Sequence, residues 1–143
     1  MSDSRDQMIA ALREIVFPVL RDMSFSGSFP HFRRIRDKQI DLLTFQFNRY
    51  GGSFVVEVAH CEPDGFTTRW GKYIPPKQVR AHDVNHRLRL GSNPPGQQDH
   101  WFYFEPERPG IYTEAASQLL PLLRSQAEQY WQTYRKLPND PIA

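Results

Sequence analysis

The sequence predicts an α+β fold: an antiparallel sheet of four to five strands, with an N-terminal and a C-terminal helix packed on one of its faces. Three observations predict it. Apolar residues recur at spacings of three and four near both ends of the chain. Between them, residues 31–61 alternate between apolar and polar at period two. Gly51-Gly52 divides that stretch as a hairpin turn divides two strands. The 143 residues fit one domain, 1–143, with frayed ends expected at 1–4 and 138–143. A chain of this size buries roughly two thirds of the surface of its unfolded form, so it needs neither disulfide nor metal to fold.

Taken in order, the first helix spans Ser4 to Arg21. Met8, Leu12, Ile15, Val16, Val19 and Met23 share one face of it. Ser4 with Gln7 has the spacing of a capping box. Pro18 has no N–H for the carbonyl of Glu14, and its ring crowds that turn, which predicts a kink or a break. HFRRIR (31–36) reads as a strand and Asp37-Lys38 as a tight turn. IDLLTFQFNRY (40–50) is a long strand, Gly51-Gly52 a two-residue turn, and SFVVEVAHC (53–61) the returning strand. Alternation places Leu43, Phe45, Phe47, Phe54, Val56 and Val58 on the core face. Thr44, Gln46, Asn48, Glu57 and Ala59 fall on the other face, which is too polar to lie under a helix and is expected to be open to water.

Residues 62–84 carry Pro63, Gly65, Gly71, Pro75 and Pro76 and read as one long connection, a class of loop often tied to function. HRLRL (86–90) is a fourth strand, 92–100 a loop, and WFYF (101–104) a short fifth strand. The closing helix runs from Thr113 to Leu137, with Leu119, Leu122, Leu123, Tyr130, Trp131 and Tyr134 at helical spacing. Pro121 is expected to kink or split it.

Composition narrows the functional classes. The single cysteine, Cys61, points to a reducing compartment, because small secreted domains carry paired cysteines. The N-terminus has no signal-peptide pattern, and no stretch approaches the roughly 20 apolar residues of a membrane span. A cytoplasmic location with no membrane contact is the expectation. The net charge of +2 implies no partner by itself. Its distribution is uneven: residues 31–90 hold eleven basic and six acidic side chains.

No reactive constellation emerges. His82 and His86 are four apart but need a helix to share a metal, and His60 and Cys61 are strand neighbours that point to opposite faces. Cys61 lacks any local nucleophile motif and reads as a small buried hydrophobe. Glu57 is expected to pair across the sheet with Arg87 or Arg89. No phosphate loop, dinucleotide fingerprint or hydrolase elbow is present. No catalytic residue, metal ligand or cofactor is therefore assigned.

The basic middle remains. Arg33, Arg34, Arg36, Arg49, Arg69, Lys72, Lys77, Arg80, Arg87 and Arg89 interleave with Phe32, Tyr50, Trp70 and Tyr73. Basic residues attract phosphates, and aromatic rings offer stacking platforms. Against that reading, RNA-binding sheets display aromatics on the central strands of an open face. Here Phe45, Phe47 and Phe54 fall on the core face. Within 66–78, Trp70 and Tyr73 supply stiff contact area while Arg69 and Lys72 can meet acids. The alternative for Trp70 is to fold back and cap the core under its own loop.

A kinked amphipathic helix runs into Leu20 and Met23-Ser24-Phe25. It is followed by HFRRI, by LLTFQFNRYGGSFVVEVAH, and by Trp101. Together these resemble bacterial proteins of the domain-of-unknown-function family 4304, over roughly residues 8–104. That family usually has Gly at the position of Ser24, and often a paired Trp where this chain has Trp101-Phe102. The resemblance implies a small α+β fold and no assigned activity, so no site residue carries over.

The function expected from these readings is a non-enzymatic interaction module for a protein partner or a second copy of the chain. Its contact residues would be Gln46, Glu57, Arg69, Trp70, Lys72, Tyr73, Arg87 and Arg89. The alternatives are nucleic-acid or anionic-ligand binding through the basic region 31–90, and a hydrolase-type enzyme with a loop-borne site near His82, His86 or Cys61.

Overall fold

In a computed structural model, which describes residues 3–92 and 100–135, the predicted N-terminal helix is two helices. They are α1 (Asp3–Ile15) and α2 (Phe17–Asp22), with Pro18 in the first turn of α2. The missing proline N–H is harmless there, so the break falls two residues before the ring, at Val16. The start also differs from expectation. Gln7 Nε2 donates to Asp3 Oδ2 at 3.0 Å, and Ser4 lies inside α1, its Oγ donating to Glu105 Oε2 at 2.9 Å. After α2 the chain turns at Ser24, whose φ is +77°. Phe25 N donates to Leu20 O, and Ser24 N to Arg21 O, each at 2.9 Å. This is a Schellman C-cap, with Phe25 and Leu20 buried together beside it.

The sheet contains β1 (Ser26–Ser28), β2 (His31–Ile35), β3 (Ile40–Phe47), β4 (Ser53–Cys61), β7 (Arg87–Arg89) and β8 (Phe102–Tyr103). Its order is β1-β2-β3-β4-β7, with β8 beside the start of β4, and every pairing is antiparallel. β1 has no apolar alternation and was not expected as a strand. The β3–β4 turn is also longer than a two-residue hairpin. Phe47 pairs with Phe54, Asn48 N donates to Ser53 O, and Gly51 and Gly52 both have positive φ.

The face assignment follows alternation. Leu43, Phe45, Phe54, Val56 and Val58 are buried against α1, α2 and the C-terminal helices. Phe54 stacks between Phe47 at 5.1 Å and Phe102 at 5.3 Å, offset-ring contacts that add to area burial. The C-terminal helix consists of α3 (Ile111–Ser117), α4 (Leu119–Leu122), a wide turn at Leu123–Ala127, and α5 (Glu128–Arg135). Pro121 cannot donate to the Ser117 carbonyl, and α3 ends at that residue. The predicted end of this helix at Leu137, the expected fraying at 138–143 and most of the 92–100 loop lie outside the described residues.

A buried ionic network joins α5 to the sheet. Asp41, fully buried, accepts from Arg34 Nε at 2.8 Å, Gln39 Nε2 and Arg135 Nη1 at 3.1 Å. Arg34 also forks onto both oxygens of Glu128, at 2.7 and 3.0 Å. Its guanidinium lies over Phe25 and Trp131. Burial opposes both charges, but the Glu128 bonds and Asp41 outweigh it at Arg34 and raise its pKa, while the Arg34 bonds with Arg135 and Arg36 outweigh it at Glu128 and lower its pKa.

The second sheet face is where the sequence expectation fails. Thr44, Glu57 and Ala59 are all buried there, and Gln46 alone of that polar set is exposed. The segment 62–84 is not structureless. It forms a hairpin, β5 (Phe66–Thr67) and β6 (Tyr73–Ile74), and a 3₁₀ turn at Ala81–Asp83. Ile74, Val79, Ala81 and Val84 from this segment pack on Ile40, Leu42, Ala59 and Cys61 in a second core. The even positions of β3 begin Ile40, Leu42, and these two large apolar side chains require a cover that the polar residues farther along the strand do not.

Candidate functional site

Folding 62–84 over the sheet opens a cleft of about 600 Å³ between that segment and the β1–β2 edge. One wall is Gly27 to Pro30 with His31 and Arg33. The other is Lys72, Tyr73 and Ile74, then Lys77, Gln78, Arg80 and Asp83. Alternation along β2 sends His31 and Arg33 to the same face, toward the cover segment, while Phe32 and Arg34 enter the main core. At Gly27 the wall is bare backbone: φ is +112°, and a Cβ would sit 2.7 Å from the His31 carbonyl oxygen.

Four cations and one acid line this cleft. Arg33 is anchored, donating from Nε and Nη2 to the Val79 carbonyl at 3.3 and 3.0 Å. Asp83 accepts from the Arg80 backbone N–H at 2.8 Å and has His82 at 3.6 Å. Among the described residues, no carboxylate lies within ion-pair distance of Lys72, Lys77 or the Arg80 guanidinium. Burial and the positive field of Arg80 lower the Arg33 pKa. His31 shares a 3.0 Å hydrogen bond between Nδ1 and Thr44 Oγ1, and its ring meets His82 edge-on at 5.3 Å. Burial, then Arg80, His82 and Arg33, lowers its pKa to about 4, so it is neutral at pH 7. Four cations against one carboxylate give the cleft a surplus of positive charge, as an anion-binding concavity has.

The predicted contact residues divide into separate groups. Lys72 and Tyr73 line the cleft, and Arg69 and Trp70 stand beside them in the β5–β6 turn. Trp70 is 80% exposed, so it does not cap the core. Glu57, Arg87 and Arg89 sit on β4 and β7. Glu57 accepts from Arg89 Nε at 2.9 Å and has Arg87 Nη1 at 3.5 Å, and it is buried, not a surface pair. Gln46 is exposed toward the far end of β3. His31, Arg33, Lys77 and Arg80 complete the cleft. The signal for the first two is their shared alternation phase, and for the last two only the local density of basic residues.

Other chemistry-bearing groups are occupied. Burial pushes the Cys61 thiol up to about 12, which removes the thiolate a nucleophile needs. Cys61 packs in the second core, whereas His60 stacks on Tyr134 at 4.2 Å on the opposite face. Between β7 and α5 a cavity of about 530 Å³ is lined by His86, Tyr130 and Tyr134. There His86 Nδ1 lies 3.3 Å from Tyr130 Oη, and Nε2 lies 2.9 Å from Tyr134 Oη. Both imidazole nitrogens are thus engaged by phenols.

The family profile described as a domain of unknown function, DUF4304, matches residues 15–133. The chain belongs to this family. The DUF4304 match begins at the last residue of α1 and reaches into α5, so it takes in both walls of the cleft and the segment that covers the second core. Comparison with curated proteins and with solved structures gives no match. Among the described residues, no helix is long and apolar enough to cross a membrane.

Proposed function

We propose that this DUF4304 chain is a non-enzymatic binding module for anionic ligands, and that the cleft between β2 and residues 72–83 is its binding site. One observation carries the reading: Lys72, Lys77 and Arg80 line one cleft with anchored Arg33, and none of the three has a carboxylate partner among the described residues. Holding like charges together costs free energy, and an oxyanion reverses the sign of that interaction. A phosphate-type group suits the donors, since Arg offers a planar fork and Lys a mobile point charge.

The test is a thermal shift with pyrophosphate at low ionic strength. Binding raises Tm in proportion to the logarithm of ligand concentration. The shift is expected to disappear in Lys77→Glu/Arg80→Glu, whose side chains are exposed. An equal shift in the double variant contradicts the assignment.

A protein partner, including a second copy, is the other reading, favoured by the exposure of Trp70 at the β5–β6 tip. Arg87 belongs to a different surface, held by Glu57 and lining the β7–α5 cavity. Trp70→Ala alone, read by sedimentation, tests this reading.

A further inference from the structure

We infer that the anion taken by the cleft is the backbone of a single-stranded nucleic acid, with Trp70 and Tyr73 stacking on its bases. This inference rests on the anion-binding reading and specifies its ligand.

The charges form a track and not a point. Lys72 comes from the β5–β6 hairpin, Lys77 and Arg80 from the loop that follows, and Arg33 from β2 across the cleft. A volume of about 600 Å³ is in the range that holds a drug-sized ligand rather than a lone oxyanion. Successive phosphates of a polyanion satisfy such a track, and a single small ion leaves most of it unused.

The rings lie beside the charges. Trp70 and Tyr73 flank Lys72 within one turn, and they are 80% and 56% exposed. Tyr73 Oη donates to the Asp64 carbonyl at 2.6 Å, which fixes one end of the ring. Thr68 Oγ1 accepts from Lys72 N, and Thr68 N donates to Lys72 O, closing the turn that carries Trp70. The aromatic surface is therefore held out from the protein by a braced turn. Exposed rings alternating with unpaired cations are what single-strand binders present, because every base has a π-face and every linkage a phosphate. A free phosphate or polyphosphate uses the cations and ignores the rings.

The experiment is fluorescence anisotropy of a fluorescein-labelled 15-mer of mixed sequence, as RNA and as single-stranded DNA, with the full chain at low salt. At least one is expected to bind, with log affinity falling linearly as log salt rises, at a slope of about −2 to −3 for three to four phosphate contacts. Lys77→Glu/Arg80→Glu is expected to abolish the signal. Trp70→Ala is expected to weaken binding roughly five- to hundredfold, the range for losing a base stack, with Tm and the pyrophosphate thermal shift unchanged. Pyrophosphate binding without oligonucleotide binding, or an unchanged oligonucleotide affinity in Trp70→Ala, overturns this inference and leaves the anion site standing. Equal or tighter binding of the duplex 15-mer, or of polyglutamate, also overturns it. Failure of the unmodified protein to bind either pyrophosphate or the oligonucleotide overturns the anion site as well.

Discussion

Ser24 has the most direct local account. It occupies the left-handed position of the α2 C-cap at φ +77°, where a Cβ is disfavoured and glycine is the usual choice. Relief of that strain, roughly 1–2 kcal/mol, exceeds the entropy cost of glycine, roughly 0.5–1 kcal/mol. Ser24→Gly is therefore expected to stabilise the protein by about 0.5–1 kcal/mol, as read by urea denaturation. A loss of stability would contradict the cap assignment. Glu57 makes the opposite case. Its cross-strand pairing to Arg89 is readable from alternation, but its burial is not, because alternation assigns a face and not what lies against it. Thr44 is hidden in the same way, beside His31.

At the scale of elements, the β5–β6 hairpin performs two tasks with neighbouring residues. Ile74 is buried in the second core, while Trp70 projects from the turn. Ile74→Ala is expected to cost roughly 2–4 kcal/mol, as for large-to-small changes in a core. Trp70→Ala is expected to change stability by less than about 0.5 kcal/mol, as surface substitutions do. Both are measured by equilibrium unfolding, and equal costs would mean that the hairpin is not seated as described. The strands β3 and β4 and the breaks near Pro18 and Pro121 are legible because their causes are local: alternation, and a missing N–H. β1, β5 and β6 are not. They are two or three residues long, and tertiary cover, not propensity, makes them strands.

For the whole molecule, the decisive feature is that the sheet has two cores. The main one lies under the helices, and the second lies under residues 66–84. An antiparallel sheet with Thr44, Gln46 and Glu57 on one face reads as half-exposed, and the counter-signal was the apolar pair Ile40 and Leu42 in the same phase. Covering the second face moves the candidate site from the middle of a flat sheet to its β1–β2 edge. The basic residues of the middle sequence then divide. Arg34 and Arg36 meet Asp41, Arg87 and Arg89 meet Glu57, Arg49 lies over Tyr50, Arg69 stands in the β5–β6 turn, and Lys72, Lys77 and Arg80 line the cleft with Arg33. The central claim is that this cleft is a binding site. The direct measurement is a two-dimensional amide NMR titration of the full chain with pyrophosphate. Saturating shifts are expected for residues 27–33 and 72–83, with β7 and α5 unmoved. Shifts centred on Arg87 and Arg89, or none at any concentration, would contradict it.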